Sequence, residues 1–297
     1  MSIEISVIII TYNMGRLIER ALDSLRNQTV NDFEVIVVDN YSTDNTKDVI
    51  CQYSDMNLKY VKINNEGILS KSRNLGISVA IGEWIAFLDA DDYWEPNKVE
   101  VLLRTITDLT KEFVAVSHRC YREYIADGRR EIINCRVPKN NLYKELLMKK
   151  NPFCLSGMTI RKNALELVGF FSENPKYKAV EDYELWIRLS KIGSFYNLQE
   201  PLGTITLHDE NYSKKADVQM QALDIMKKSY IESEKSLDAR DKKIAYKHLY
   251  EVEMRCLQKG GFYDEAIKVS REASKKKVIS LRIIVAHVLA ILKISRF

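Results

Sequence analysis

The sequence predicts an α/β fold, in which a mostly parallel sheet is flanked by helices, followed by an all-helical extension. Two observations predict the sheet: apolar, β-branched runs recur along the first third of the chain, and amphipathic helical segments alternate with them. A third observation predicts the extension. From Ala216 onward helix-forming residues dominate, and glycine and proline become rare.

The alternation of strands and helices begins at residues 3–11, where most side chains are apolar and β-branched. Such a run predicts a strand buried on both faces of a parallel sheet. Apolar residues at helical spacing over residues 17–25 then predict a covering helix. The same alternation continues with a strand at 33–39, a short helix after Asp44, a strand at 58–63, a helix at 68–80 and a strand at 84–89.

The rest of the first domain is predicted from turn and capping signals. Pro96 is placed to open a helix that again covers the sheet. Alternating segments on both sides of Asp127 and Gly128 predict a β-hairpin, which we expect outside the main sheet. A strand at 155–160 and a helix beginning near Glu181 complete the domain.

Length and composition limit the class of protein. A chain of 297 residues with 46% hydrophobic residues can bury a large core, and we expect a domain at 1–213 followed by a helical region at 214–297. A net charge of +4 gives no case for nucleic acid as a partner. The five cysteines are scattered without CxxC spacing, and the first residues lack a signal-peptide pattern. We therefore expect reduced thiols and a cytoplasmic location.

Acidic residues end the strand predicted at 84–89. Asp89 and Asp91 are two positions apart, a spacing that places both side chains on one side of a strand. Ligands of open α/β sheets gather at the carboxyl ends of strands, and a divalent cation would reverse the repulsion between Asp91 and a nucleotide diphosphate. The alternative is that one aspartate only caps the following helix.

Polar residues also follow the other predicted strands. Asp39 ends the second strand, where its carboxylate can accept the imide N–H of a uracil ring or stabilise the turn that follows. Thr11 and Asn13 end the first strand and suit either a nucleotide edge or helix capping. Lys71 and Arg73, near the start of a predicted helix, can contact phosphates or remain solvated.

Taken in order, these motifs resemble those of the family 2 glycosyltransferases, of the type that builds bacterial surface polysaccharides. The resemblance extends from residue 3 to about residue 213. It is carried by the segments 5–13 (ISVIIITYN), 37–46 (VVDNYSTDNT), 65–76 (NEGILSKSRNLG), 87–92 (FLDADD), 156–171 with Arg161, Gly169 and Phe170, and 181–188 (EDYELWIR). Short strings in a fixed order are more specific than any one of them alone.

The resemblance implies a GT-A fold, which is a Rossmann-like, mixed and mostly parallel sheet, and a nucleotide diphosphate sugar donor, usually UDP-linked. The implied donor site holds Thr11, Tyr12, Asn13, Asp39, Lys71, Arg73, Asp89 and Ala90. Asp89 would face the ribose, and Asp91 would hold a manganese or magnesium ion. His208, followed by Asn211, Ser213 and Lys214, resembles the family's loop that contacts the metal or the diphosphate.

The resemblance also implies an inverting, single-displacement transfer of a hexosyl or N-acetylhexosaminyl group to a hydroxyl of a glycan or lipid-linked acceptor. Asp182 would be the general base, with Glu181 as the alternative. An acceptor hydroxyl has a very high pKa and must lose its proton as it attacks the anomeric carbon. Without the resemblance, Glu181 and Asp182 would be interpreted as residues that favour a helix N-terminus.

The sequence departs from the family pattern at two positions and leaves other classes of protein to be weighed. Asn40 and Tyr41 stand where a second aspartate and a glycine are frequent. A nucleotidyltransferase would need a Gly-rich basic loop near the first strand, which Met14-Gly15-Arg16 does not provide. A non-catalytic nucleotide-sugar-binding subunit is the other alternative, favoured only if Asp91 or Asp182 were absent.

The last segment of the sequence is apolar and basic. Lys275, Lys276 and Lys277 precede an apolar stretch at 278–294 that is interrupted by Arg282, His287 and Lys293. These charges argue against a membrane span. Two interpretations stay open: residues 275–297 associate with the inner face of the cell membrane as an interfacial helix, or the helix docks on the protein's own core.

Overall fold

The computed structural model describes residues 3–133, 137, 141–149, 151–208, 216–235 and 237–294, with only the backbone described for 216–221, 256 and 259. The chain divides into two compact units. The first takes Met1–Pro138, Pro152–Glu173 and Arg188–Asp209, and the second takes Lys139–Asn151, Asn174–Ile187 and Glu210–Phe297. The predicted boundary at residue 213 lies outside the described residues, as do Cys135, Asn211, Ser213 and Lys214.

The helices and strands follow the predicted alternation and end in a series of helices. In chain order they are β1 (Ile5–Thr11), α1 (Ile18–Arg26), β2 (Phe33–Asp39), α2 (Thr46–Cys51), β3 (Leu58–Lys62), α3 (Leu69–Val79), β4 (Trp84–Phe87), β5 (Tyr93–Trp94), α4 (Lys98–Asp108), β6 (Phe113–Tyr124), β7 (Arg130–Ile133), α5 (Leu142–Met148), β8 (Met158–Arg161), α6 (Lys162–Val168), α7 (Glu181–Leu189), β9 (Ser194–Leu207), α8 (Ala216–Ser233), α9 (Ala239–Lys259), α10 (Tyr263–Lys275) and α11 (Leu281–Ile291). A short 3₁₀ turn, Leu155–Gly157, precedes β8.

The first unit is built on one mixed sheet, in which nine strands lie within the described residues. The strands are ordered β3-β2-β1-β4-β8-β6-β9-β5, and β7 pairs with β6 at its side. β3, β2, β1 and β4 are parallel, whereas β8 is antiparallel to both of its neighbours. Every residue of β2 is buried, as expected for a strand covered on both faces. The predicted mixed sheet flanked by helices is therefore confirmed.

The predicted hairpin around Asp127 and Gly128 forms, but the prediction that it lies outside the main sheet was wrong for its first strand. β6 is 12 residues long and lies between β8 and β9 in the sheet. Its first half is buried and belongs to the core, and only its far end continues into the hairpin with β7. Gly128, with φ of 68°, provides the left-handed residue of the turn.

The second unit is helical within the described residues. It contains α5, most of α7 and the four helices α8 to α11, so the predicted all-helical C-terminal extension of the fold is confirmed. The helices α9, α10 and α11 share a core that includes Tyr250, Met254, Val269 and Ile283. Among the described residues, no helix combines the length and the apolar character that crossing a membrane would require.

Helix α3 lies against β1 at a glycine. A Cβ atom added to Gly76 would lie 2.7 Å from Cγ2 of Ile8, a separation at which one of the two elements must shift. The close approach matters for the site, because α3 carries Lys71 and Arg73.

We expect Gly76→Ala to lower the free energy of unfolding by about 1–3 kcal/mol, because the added methyl overpacks the contact with Ile8. The sign is diagnostic, since helix propensity alone would make alanine stabilising by about 1 kcal/mol. Urea unfolding measures the effect, with the exposed Ser78→Ala in the same helix as control. A stabilised Gly76→Ala protein would contradict the packing described here.

Candidate active site at the carboxyl edge of the sheet

The ends of β1 and β2 place two predicted site residues side by side. The strands are parallel and in register, with Thr11 opposite Asp39. Both residues are buried, and the backbone N–H of Asn40 donates to the carbonyl oxygen of Thr11 at 2.9 Å. The carboxyl ends of both strands therefore meet at one edge of the sheet, as the sequence predicted.

Hydrogen bonds that involve side chains connect the loop after β1 with the loop after β2. The backbone N–H of Asn13 donates to Oγ of Ser42 at 2.9 Å, and Oδ1 of Asn13 accepts from the backbone of Thr43 at 2.8 Å. Asn13 is itself in a left-handed conformation, with φ of 52°. The backbone N–H of Gly15 donates to Asp44 at 3.0 Å. Asn13 thus braces the loop after β2, a role that the sequence did not reveal.

Asp39 lies beneath this loop and accepts hydrogen bonds on both carboxylate oxygens. Oδ1 accepts from the backbone N–H of Ser42 at 2.9 Å and from its hydroxyl at 2.5 Å, and Oδ2 accepts from the hydroxyl of Tyr60 at 2.6 Å. Burial raises the pKa of Tyr60, and the bond to Asp39 raises it further. Asp39 therefore fixes the turn that follows β2.

Two tyrosines stand exposed at the same edge. Tyr12 and Tyr41 follow β1 and β2 and keep 53% and 56% of their surface accessible. Tyr41 has φ of 56°, a left-handed conformation that favours glycine and costs about 1–2 kcal/mol for other residues. A strained, exposed aromatic residue next to a buried carboxylate is the kind of feature found at ligand sites. From the sequence, Tyr41 was recognised only as a departure from a frequent glycine.

Two contacts connect the α3 region to the same edge of the sheet. Asn40 binds the loop before α3, and Arg73 extends from α3 itself. Oδ1 of Asn40 accepts from the backbone N–H of Asn65 at 2.8 Å, which gives this departure from the family pattern a bracing role. Arg73 is buried, and a guanidinium nitrogen lies 3.5 Å from Oδ1 of Asp89. Lys71, by contrast, forms an ion pair with Glu66. Arg73 therefore lies beside Asp89 of the acidic turn, whereas Lys71 is paired with Glu66.

The acidic residues after β4 occupy a turn. The prediction that Asp89 and Asp91 lie on the strand was wrong, because β4 ends at Phe87. The backbone N–H of Asp92 donates to the carbonyl oxygen of Asp89 at 3.0 Å and closes the turn. The Ala90 side chain at its apex is buried in the hydrophobic core.

Asp91 meets His208, which follows directly after β9. Nε2 of His208 lies 2.9 Å from Oδ2 of Asp91. Both side chains are mostly buried, with accessible fractions of 11% and 18%. Over the described residues, no cluster of three or more His, Cys, Asp or Glu side chains is arranged to hold a metal. The pair of Asp91 and His208 thus places one carboxylate and one imidazole side by side at the edge of the sheet.

Asp92, which the sequence analysis did not single out, ties the acidic turn to two distant segments. Oδ2 accepts from the hydroxyl of Ser156 at 2.6 Å, and Oδ1 accepts from the backbone N–H of Thr206 at 2.9 Å. The same Ser156 hydroxyl accepts from the backbone N–H of Asp89 at 3.0 Å. Burial raises the pKa of Asp92, and the negative charges of Asp91 and Asp89 raise it further.

Ser156 is the centre of this buried network. Its carbonyl oxygen accepts from Nζ of Lys98 at 2.8 Å and from the indole N–H of Trp94 at 3.1 Å. Lys98 is fully buried, with its ammonium 3.5 Å from the centroid of the Trp94 ring, and burial lowers its pKa well below the usual value. The network sets the position of the turn that carries Asp89 and Asp91.

Glu181 and Asp182 belong to the second unit, where they begin α7. Glu181 is buried, and Asp182 is half-buried. Oδ2 of Asp182 accepts from the side-chain amide of Asn151 at 3.3 Å, and Oδ1 accepts from the backbone N–H of Tyr183 at 2.6 Å. Burial raises the pKa of Tyr183, and the charge of Asp182 raises it further. Both carboxylates lie in the first turn of a helix, where the helix dipole stabilises negative charge.

Fold and site together define an α/β protein whose sheet edge gathers carboxylates, an arginine and a histidine around a candidate ligand site. The family model for glycosyl transferase family 2 matches residues 6–169, which is more than half of the 297 residues. The chain belongs to this family and is a glycosyltransferase. Family membership favours glycosyl transfer over the nucleotidyl transfer considered from the sequence.

Curated relatives agree with this assignment and differ in length. A glycosyltransferase of Nostoc sp. is 33% identical over 219 residues, which cover 70% of this chain and 66% of that protein. A glycosyltransferase of Haemophilus influenzae is 25% identical and matches over 97% of both chains. Hyaluronan synthase of Pasteurella multocida is 34% identical over 72% of this chain, but the match covers only 22% of the synthase.

Solved structures share the fold at low sequence identity. Residues 1–349 of S. aureus TarS, in complex with UDP-GlcNAc, align with a TM-score of 0.65 at 19% identity, covering 98% of this chain and 89% of that chain. The mannosyltransferase PcManGT of Pyrobaculum calidifontis, in complex with GDP-Man and Mn²⁺, aligns with a TM-score of 0.62 at 18% identity, covering 97% and 79%. At such identities the likeness shows the fold.

We expect Asp92→Ala to lower the free energy of unfolding by about 2–4 kcal/mol, because it removes the buried acceptor of the Thr206 N–H and leaves a cavity. Asp92→Asn keeps an oxygen for Thr206 and can donate to Ser156, so its cost should be about 1 kcal/mol. Urea unfolding followed by fluorescence reports on this unit through Trp84 and Trp94. The control is the exposed Asp108→Ala in the same unit, which we expect to change stability by less than about 0.5 kcal/mol. An Asp92→Ala protein as stable as this control would contradict the bracing role.

Proposed function

We propose that this glycosyltransferase takes its sugar from a UDP-linked donor and transfers it, with inversion and with help from a divalent metal, to a hydroxyl of a glycan or lipid-linked acceptor in polysaccharide biosynthesis. The observation that carries the proposal is the single sheet edge that gathers Asp39, Arg73, Asp89, Asp91 and His208. A nucleotide diphosphate sugar would require a hydrogen-bond acceptor for its base, a positive charge for its phosphates and carboxylates for its ribose and metal ion, and these residues offer such groups.

The nucleobase would lie at the ends of β1 and β2. Asp39 retains lone pairs beyond those used by Ser42 and Tyr60, and one can accept the imide N–H of uracil. The exposed rings of Tyr12 and Tyr41 offer flat apolar surfaces against which a base can stack. TarS, which shares the fold over 98% of this chain, binds UDP and UDP-GlcNAc, and this supports uridine as the nucleoside.

The ribose and diphosphate would follow toward the acidic turn. Asp89 is partly exposed and can accept a ribose hydroxyl, while its pairing with Arg73 orients the carboxylate. Arg73 also supplies the buried positive charge that an incoming diphosphate needs. Lys71 would act at the diphosphate only if the substrate displaces Glu66.

Asp91 and His208 fit a divalent metal ion. A carboxylate oxygen and an imidazole nitrogen 2.9 Å apart are both suitable donors for manganese, and the carboxylate suits magnesium as well. Diphosphate oxygens would complete the coordination, as is usual where such ions are bound together with a nucleotide. A bound ion would neutralise the charge that builds on the departing diphosphate. PcManGT, a structural neighbour, binds Mn²⁺ with GDP-Man, which supports the assignment.

Asp182 is proposed as the general base. Asn151 and the Tyr183 N–H hold its carboxylate in place, and half-burial leaves it accessible. It would take the proton from the acceptor hydroxyl as the hydroxyl oxygen forms a bond to the anomeric carbon and the bond to the diphosphate breaks. One displacement from the opposite face inverts the anomeric configuration. Glu181 is the alternative base.

The direct test is a screen of nucleotide sugars for hydrolysis and transfer by the purified full chain with manganese present. We expect turnover of a UDP-sugar and no turnover of GDP-linked or CMP-linked sugars. Preference for a GDP-linked donor would contradict the assignment of the nucleoside while leaving family membership untouched.

We expect Asp182→Asn to lower turnover with acceptor by about 10²–10⁴-fold, because asparagine keeps the volume but cannot take the proton. Donor affinity and the unfolding midpoint should hardly change. Glu181→Gln is the matched variant and should cost less. Steady-state kinetics with the best donor and an acceptor decide between the two carboxylates. A larger loss for Glu181→Gln would move the base to Glu181, and full activity in both variants would leave them as residues that only begin α7.

A further inference from the structure

Helix α11 presents apolar side chains on two opposite faces. One face, with Ile283, Ala286 and Ala290, is buried in the second unit. The other face, which we call the aliphatic face, consists of Leu281, Ile284, Val285, Val288 and Ile291 together with Leu292, the residue that follows the helix. These side chains are exposed by 42% to 76%, and the helical period of 3.6 residues places them opposite the buried face. Packing on the protein's own core therefore explains the apolar residues of the buried face but not those of the aliphatic face.

The segment that carries this face is strongly basic. Between Ala273 and Phe297 the sequence contains Lys275, Lys276, Lys277, Arg282, Lys293 and Arg296, and no acidic residue. Among the described residues, Arg282 lies 3.5 Å from Glu251, and the Lys276 ammonium lies 4.2 Å from the centroid of the Tyr246 ring. Lys275, at the end of α10, and Lys277 are exposed before α11, and Lys293 is exposed after it. An aliphatic surface thus lies between positive charges.

We infer that the aliphatic face of α11 docks on a bilayer surface that contains anionic lipids, with the helix lying in the plane of the membrane. Eleven residues give a helix of about 16 Å, too short to cross a hydrocarbon core of about 30 Å. Aliphatic side chains enter the boundary between headgroups and acyl chains, and lysines at both helix ends meet lipid phosphates. This inference does not depend on the proposed donor, metal or base.

A second copy of the chain fits the same face less well. Two copies that meet through the aliphatic face around a twofold axis would bring the basic ends of both helices together. Because the sequence between Ala273 and Phe297 has no acidic residue, these positive charges would repel one another with no negative charge of the same segment to neutralise them. Anionic headgroups supply the charge that is missing, and the charge pattern therefore favours the membrane.

The test is sedimentation of the full chain with vesicles of phosphatidylcholine, with or without phosphatidylglycerol. We expect binding to the anionic vesicles, weakened by high salt, and little binding to neutral ones. Leu281→Glu combined with Val288→Glu should reduce binding at least about tenfold, because charges replace two inserted aliphatic side chains. Lys275→Gln and Lys277→Gln should each reduce it about fivefold.

The matched control is Leu167→Glu in the first unit, since Leu167 is exposed by 74% and Leu281 by 76%. Its binding should equal that of the unmodified chain, and circular dichroism should show unchanged helix content in all variants. An equal loss of binding in Leu167→Glu would overturn the inference. So would sedimentation velocity that shows a dimer without lipid which Leu281→Glu dissociates, because a second copy would then cover the face.

Discussion

The structure of the site depends on the partners that stabilise three carboxylates within one turn. Asp89, Asp91 and Asp92 repel one another, and each is paired with a different segment of the chain. Asp89 lies beside Arg73 of α3, Asp91 beside His208 after β9, and Asp92 accepts from Ser156 and from the backbone of Thr206. Because these partners come from across the sequence, the acidic turn fixes the relative positions of the strands and loops around it.

Parallel pairing supplies the rest of the edge. β1 and β2 end together, so Thr11 and Asp39 are adjacent, and hydrogen bonds through Asn13 and Asn40 join the loops that follow. The glycine contact between α3 and β1 brings Arg73 close to the same edge. Residues assigned to ligand contact from the sequence thus divide into two groups: those such as Asp91 and His208 that suit a ligand, and those such as Asn13 that hold the edge together.

Much of the fold could be predicted, because buried parallel strands leave long apolar runs and the final helices lack glycine and proline. Local patterns did not show that β4 ends before Asp89, or that β6 is a core strand. The hydrogen-bond network around Asp92 could not be predicted, since its partner Ser156 is 64 residues away and the segment pattern around Ser156 does not reveal this contact. The contact between Asp91 and His208, 117 residues apart, was suggested only by resemblance to a known family.

We propose that the acidic turn binds a nucleotide diphosphate through a cation at Asp91. Calorimetric titration of the full chain with UDP, with and without Mn²⁺, tests it most directly when repeated on Asp91→Asn and on the exposed control Asp48→Asn. We expect manganese to tighten UDP binding at least about tenfold in the unmodified chain and in the control, and Asp91→Asn to lose this gain. A manganese-dependent gain in UDP affinity that persists in folded Asp91→Asn would contradict a cation site at Asp91.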